Sequence, residues 1–231
     1  MGDRLQDGRP RPEKDLTVTP EDHRDFIRAN TRLMPPPLLP ELQLHLAHEA
    51  IPLWEKTEEE LEQIGLPPPF WAFAWAGGQA LARYVLDNPH LASGRDVLDF
   101  AAGSGLVGIA AARCGAARVT ASDIDPFAES AMALNAAAND VVLEAVCDDL
   151  IGRNDGWSLV LAGDIFYEAP TAKRVITWFE DLAAGGATVL IGDPGRTYLP
   201  RERLTECALY EVPVSRALED REIKRTRVWR L

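Results

Sequence analysis

The sequence predicts an α/β fold with a mostly parallel sheet, and three observations carry that prediction. From Asp96 to residue 192, strand and helix patterns alternate strictly, the signature of parallel strands joined by crossover helices. The links between them, such as Cys114-Gly-Ala-Ala and Ala184-Gly-Gly, have the short length usual for αβ connections. Beyond residue 204 the pattern changes to two β-rich stretches separated by a charged loop, which reads as a closing antiparallel hairpin. Five parallel strands and a hairpin make a Rossmann-like sheet of seven strands, preceded by an N-terminal helical extension.

Taken in order, residues 1–20 are polar and charged with scattered prolines, and are expected to fray or be disordered. Residues 21–90 form the extension. The prolines Pro35, Pro36, Pro37 and Pro40 interrupt it, and helical patterns follow over Glu41–Leu53 and Lys56–Ile64. The second opens at Thr57 with Glu58, Glu59 and Glu60 in its first turn, where acids suit the helix dipole. Leu66-Pro-Pro-Pro breaks the chain, Phe70, Trp71, Phe73 and Trp75 make an aromatic cluster, and Trp75-Ala-Gly-Gly-Gln79 leads into a helix over Gln79–Leu86. The main domain, 91–231, carries strands at 96–100, 118–122, 142–147, 158–163 and 187–192. Helices fall at 106–114, 126–138 and 170–183, with Pro126 well placed in a first turn. The tail supplies strands at 204–212 and 222–231.

Composition narrows the function. No apolar run approaches the ~18 residues of a membrane span. The N-terminus lacks the apolar core of a signal peptide and is too acidic for a transit peptide, so a cytoplasmic protein is expected. Cys114, Cys147 and Cys207 are far apart and odd in number, which argues against disulfides and zinc. His23, His45, His48 and His90 make no metal signature; His45 and His48 would share a solvated helix face, and no metal is expected. A net charge of −12 opposes a nucleic-acid backbone and suits a basic partner, including a lysine-bearing protein surface.

The chemistry is concentrated after the first strand of the alternation. Val97-Leu-Asp-Phe-Ala-Ala-Gly-Ser-Gly-Leu-Val-Gly matches G-x-G-x-x-G through Gly103, Gly105 and Gly108, which alone would suggest a dinucleotide. Asp99 argues otherwise. A pyrophosphate needs bare N–H groups at a positive helix end, and a carboxylate about 5 Å away would interact with a unit charge by roughly 3 kcal/mol at an effective dielectric of about 20. That repels a phosphate and attracts an ammonium or a sulfonium. S-adenosylmethionine carries both cations on a nucleoside.

Ligands of open parallel sheets sit beyond the carboxyl ends of the strands, and here each end bears an acid. Asp99 closes the first strand. Asp123, with Ile124 beside it, follows the second, twenty residues after Gly103, where a carboxylate can accept both ribose hydroxyls. Asp125 precedes Pro126 and reads more simply as an N-cap. Asp148 and Asp149 follow the third strand, where either could accept from adenine N6. Asp164, with Tyr167 one helical turn further, follows the fourth, and Asp193 the fifth. Each acid taken singly could equally be turn chemistry.

These residues also carry a resemblance. Asp99–Gly105, Ser122-Asp-Ile-Asp-Pro and the terminal hairpin resemble the seven-β-strand (class I) methyltransferases, and Asp164-Ile-Phe-Tyr167 is similar to the Asp-x-x-Tyr/Phe motif of their protein lysine methyltransferase branch. Phe70-Trp-Ala-Phe-Ala-Trp-Ala-Gly-Gly-Gln, Ala162-Gly-Asp-Ile-Phe-Tyr167 and Ile191-Gly-Asp-Pro-Gly-Arg196 narrow it to the electron transfer flavoprotein β-subunit lysine methyltransferases and their bacterial relatives. The resemblance runs from Phe26 to the C-terminus. It implies S-adenosylmethionine as cofactor, bound by Asp99, Gly103, Gly105, Asp123, Ile124, Asp148, Asp149 and Trp75. It implies Asp164 and Tyr167 as the catalytic pair and the flavoprotein β-subunit as protein substrate; a monomer is expected, and charge and hydropathy lead to the expectation that it acts without nucleic acid or membrane.

Methyl transfer from a sulfonium is an in-line displacement, so catalysis lies mostly in positioning and water exclusion. A lysine must first lose its proton, which costs roughly 4 kcal/mol at pH 7.4. Asp164 alone would oppose this by stabilising the ammonium, so its expected role is to orient the amine through an N–H bond. Tyr167 walls the lysine channel, contacts the lysine, or simply packs; Trp71 and Trp75 cover the adenosyl group or the channel, or are core aromatics. Competing readings are a ribosomal-protein or nicotinamide-like small-amine N-methyltransferase, an NAD-dependent oxidoreductase, and a non-catalytic binder of the cofactor. Residues 21–70 are expected to dock the substrate protein or merely to cover the sheet.

Overall fold

The structure is a computed structural model, and it describes residues 19–47, 68–214 and 223–231. The chain opens with α1 (Pro20–Asn30), started by a capping box in which the Asp22 backbone N–H donates to Thr19 Oγ1 while the Asp22 carboxylate accepts from the Thr19 backbone. A short antiparallel pair follows, β1 (Arg32–Met34) and β2 (Leu44–Leu46). After a 3₁₀ turn at Phe70–Ala72 comes α2 (Ala76–Asp87). The alternating region then runs β3 (Asp96–Phe100), α3 (Leu106–Arg113), β4 (Arg118–Asp123), α4 (Pro126–Ala138), β5 (Glu144–Cys147), β6 (Leu159–Gly163), α5 (Ala169–Ala184) and β7 (Thr188–Asp193). The hairpin strands β8 (Thr205–Pro213) and β9 (Ile223–Arg230) complete it.

Among the described residues the main sheet has seven strands in the order β5-β4-β3-β6-β7-β9-β8, parallel from β5 to β7 and antiparallel through β9 and β8. The chain leaves β3 towards β4 and β5, then returns to place β6 on the other side of β3. Such a reversal opens a crevice outside the carboxyl ends of the central strands. Both sheet faces are covered, which explains why the strands read as continuous apolar runs. Val97, Leu159, Leu161 and Leu190 join one core with α2 and α3; Leu98, Val160, Ala162 and Ile191 join another with α5.

The N-terminal segment differs from expectation. Leu42, Leu44 and Leu46 are buried with partly exposed residues between them. That period of two makes residues 44–46 a strand and leaves Glu41 in a turn, where a helix over Glu41–Leu53 was expected. The remainder of that helix, the helix over Lys56–Ile64, His48 and residues 1–18 lie outside the described residues. His45 is therefore not on a solvated helix face: it is half-buried on β2, with Nδ1 3.2 Å from Thr31 Oγ1. Helix α2 starts at Ala76, three residues earlier than the pattern suggested, because a carboxylate from elsewhere caps it.

Candidate active site

The turn between β3 and α3 is built by Gly103 and Gly105, both left-handed at φ +51° and +78°. Two carboxylates fix it, Asp99 buried and Asp123 half-buried. Asp99 Oδ2 accepts from the Gly108 N–H at 2.7 Å, inside the first turn of α3, and Asp123 Oδ2 accepts from the Gly103 N–H at 2.8 Å. Asp123 Oδ1 accepts from the Asp125 N–H at 3.1 Å. Burial pushes the Asp99 carboxyl up to about 7, against the lowering effect of the Gly108 bond, and the neighbouring Asp123 adds to the rise. Burial also raises Asp123. Asp125 caps α4 through the Phe127 N–H at 2.8 Å, and its carboxyl is pushed up to about 6, chiefly by burial. Ile124 lies between them with 75% of its surface exposed.

This donor set fits a cationic nucleoside cofactor. Each carboxylate oxygen of Asp123 has a second lone pair for a ribose hydroxyl, and Ile124 offers an exposed apolar face for a base. At the end of β5, Asp148 and Asp149 are both exposed, but Asp149 is engaged by Arg174 at 2.9 Å and by the Ile151 N–H at 3.0 Å. Arg174 holds its carboxyl below the usual range, although partial burial opposes this. Asp148 has a longer contact, 3.4 Å, to Arg153.

Asp164 sits directly after β6 in a left-handed conformation, φ +57°. Its Oδ2 accepts from the Gly78 N–H at 3.0 Å, so it caps α2 from another strand, in place of the Trp75 side chain, which makes no cap bond. Its Oδ1 accepts from Arg196 Nη2 at 2.8 Å and Nε at 3.2 Å. Burial raises the Asp164 pKa and the Arg196 charge opposes the rise. Three glycines, Gly77, Gly163 and Gly192, allow this approach: a Cβ on Gly77 would meet the Gly192 carbonyl at 2.2 Å, and one on Gly163 would meet the Gly78 backbone at 2.8 Å. Helix α2 thus rests its N-terminus directly on the ends of β6 and β7. Residues 164–168 do not continue as a helix, since α5 starts at Ala169, so Tyr167 is not one helical turn beyond Asp164.

Tyr167 is half exposed, with its ring 6.0 Å from that of Phe70, itself 46% exposed. Trp75 is partly exposed, donates Nε1–H to the Phe70 carbonyl at 3.0 Å and lies 5.6 Å beneath the Arg196 guanidinium. Trp71 is buried and stacked on Phe127, hence a core aromatic. Asp193 caps the loop after β7, its Oδ1 accepting from Gly195 and Arg196 N–H groups at 2.6 and 2.7 Å. Its Oδ2 is buried with no hydrogen-bond partner among the described residues, and burial pushes the carboxyl up to about 6.

Three participants carried no assigned role in the sequence. Arg196 was visible only as the end of a motif. Asn135, fully buried on α4, accepts from the His45 N–H at 2.7 Å and donates to the Ser104 carbonyl at 2.8 Å, tying β2 to the glycine turn. Asn139, one turn on, brackets Gln43 with both of its amide atoms. Two asparagines four apart, one in the alanine-rich second half of α4 and one at its C-cap, were the available signal.

The sheet order, the glycine turn and the acids at the strand ends define a class I methyltransferase, with S-adenosylmethionine as methyl donor. Residues 79–162 match the family model described as ribosomal protein L11 methyltransferase (PrmA). The L11 methylase structure from Lactobacillus delbrueckii subsp. bulgaricus shares the fold, with a TM-score of 0.50 at 19% identity over 68% of this chain and 79% of that one. Similarity at the level of sequence is more specific. The electron transfer flavoprotein beta subunit lysine methyltransferase of Danio rerio is 38% identical over 93% of this chain and 85% of its own length. The Xenopus laevis protein of the same name is 43% identical over 75% and 70%. The chain belongs to the electron transfer flavoprotein beta subunit lysine methyltransferase family.

Proposed function

We propose that this protein transfers methyl groups from S-adenosylmethionine to lysine Nζ atoms of the electron transfer flavoprotein β-subunit. The observation that carries this reading is the buried carboxylate of Asp164 at the mouth of the central crevice, beside an exposed aromatic rim of Phe70 and Tyr167. A sheltered acceptor three residues ahead of an exposed aromatic pair suits an amine on a long aliphatic stem. The names of the relatives supply the flavoprotein.

In this reading Asp123 accepts the ribose hydroxyls, Ile124 packs on the base, and Gly103 and Gly105 keep the turn open. Asp148, rather than the Arg174-bound Asp149, accepts from the adenine amine. Asp99 faces the cationic end, and Trp75 closes the site from the α2 side. When bound, the cofactor supplies an electrophilic methyl group. Asp164 accepts an N–H bond from the lysine amine and directs its lone pair; Tyr167 walls the approach and excludes water. Residues 21–70 contribute to docking the substrate protein. A monomer working in the cytoplasm, without nucleic acid, is part of the same proposal; no described helix is long and apolar enough to cross a membrane.

The test is incubation of the purified protein with labelled S-adenosylmethionine and, in parallel, flavoprotein β-subunit, ribosomal protein L11 and nicotinamide. Label in the β-subunit supports the reading. Label confined to L11 or nicotinamide would move the assignment to those substrates, and tight calorimetric binding of NAD would displace the cofactor.

A further inference from the structure

On the lysine reading, Asp164 meets a conflict of charge. A bare carboxylate beside the amine would hold it as an ammonium, which has no lone pair to give, and at neutral pH only about one lysine in a thousand is already neutral. Asp164 is not bare. Arg196 donates to its Oδ1 through Nε at 3.2 Å and Nη2 at 2.8 Å, and the pair is sheltered, with side-chain exposures of 23% and 10%. Arg196 is itself held in place. Its backbone N–H donates to Asp193 Oδ1 at 2.7 Å, and its guanidinium lies 5.6 Å from the centre of the Trp75 ring. The remaining oxygen of Asp164 accepts from Gly78 at the positive end of α2.

We propose that Arg196 is a positioning residue that neutralises Asp164, so that this carboxylate accepts an N–H bond from the substrate amine without holding the amine as an ammonium. The inference rests on the lysine methyltransferase reading. Ionisable side chains facing Asp164 are Asp193, the last residue of β7, and Arg196, from the segment that follows it; α2 presents the backbone N–H groups of Gly77 and Gly78, and Tyr167 follows on the same loop as Asp164. Asp193 adds negative charge, so without Arg196 two carboxylates would face the amine. With Arg196 in place, the ammonium N–H bond breaks with its electron pair staying on nitrogen, and the proton leaves to bulk water. No protein group has to accept it.

The experiment follows kcat and KM for methylation of the flavoprotein β-subunit from about pH 6.5 to about pH 10. Arg196→Met should move the rising limb of kcat upward by about one pH unit or more. Its kcat would then fall about tenfold at pH 7.4 and recover to within about threefold of wild type at the alkaline end. Arg196→Lys keeps a cation and should keep the wild-type midpoint. Asp164→Asn combined with Arg196→Met removes both charges and should return the midpoint towards wild type, at a lower rate. Thermal melts identify any variant that fails to fold, and the lysine variant with the double variant then carry the comparison. A uniform loss at every pH with an unmoved midpoint would overturn the proposal, as would a double variant that keeps the shifted midpoint. Absence of methylation by the wild-type protein would instead sink the lysine reading itself.

Discussion

Gly77→Ala and Gly78→Ala are neighbouring changes of one methyl group with opposite expected outcomes. Gly77 and Gly78 lie in the first turn of α2, where Gly to Ala gains up to about 0.5–1 kcal/mol, the value for a helix interior, from propensity alone. At Gly78 the new Cβ meets nothing within 4 Å, so the gain should be realised and Tm should rise by about 1–4 °C. At Gly77 the Cβ would lie 2.2 Å from the Gly192 carbonyl oxygen and 2.5 Å from Asp164 Oδ2. One obstacle is backbone in the central sheet and the other is a carboxylate held by Arg196 and Gly78, so neither can yield cheaply. Overpacking costs about 1–3 kcal/mol, and lifting α2 stretches the charged Gly78–Asp164 bond, worth about 1.5–3 kcal/mol. Less the propensity gain, the net loss is about 1.5–5.5 kcal/mol, or about 3–20 °C in Tm. Differential scanning calorimetry of both variants is the assay. A neutral or stabilised Gly77→Ala would refute the close packing of α2 on β6 and β7, and with it the capping role of Asp164.

Asp123→Ala should weaken S-adenosylhomocysteine binding by about 1–3 kcal/mol in a calorimetric titration while leaving the fold intact. Asn135→Leu should cost about 2–5 kcal/mol in denaturant unfolding, because it leaves the His45 N–H and the Ser104 carbonyl without their bonds, and cofactor affinity should fall with it. Asp99 gives a pH test. Its folded pKa, about 7, lies above its unfolded value, so the folded state binds the extra proton and stability from this group is lost as pH rises from about 4 through about 7. Asp99→Asn, compared with wild type by chemical unfolding, should therefore become relatively more stable between pH 5 and pH 8; a pH-independent difference would contradict the assignment. A chain starting near Phe70 should be insoluble, since Leu39, Leu42, Leu44 and Leu46 belong to the core shared by α2 and α3; full activity in a soluble product would remove residues 21–70 from substrate docking.

The alternating region was legible because its signals are local. A strand, a glycine turn and a helix start are encoded within about a dozen residues, and the elements from β3 to β9 fall within a residue or two of the periodicity. Asp125 as the cap of α4 was readable for the same reason. In the segment 41–47, Leu42 and Leu46 fit one side of a helix but Leu44 does not, and three leucines at alternate positions are the pattern of the strand that packs on α4. What the local pattern could not supply was the set of partners of Asp164. Gly78 lies 86 residues before it and Arg196 32 residues after it, and no periodicity links them. The trace they left was glycine placement: Gly77, Gly78, Gly163 and Gly192 sit where a helix end and two strand ends touch backbone to backbone, which a sequence reader can suspect but not pair.

Lysine methylation directed by Asp164 is tested most directly by mass-spectrometric mapping of the flavoprotein β-subunit after incubation with S-adenosylmethionine and either wild type or Asp164→Asn, with S-adenosylhomocysteine affinity measured on both. The prediction is methyl groups on lysine Nζ with wild type, a loss of about a hundredfold in rate with Asp164→Asn, and nearly equal affinity for the two. An unmodified β-subunit, or near-normal turnover by Asp164→Asn, would contradict it.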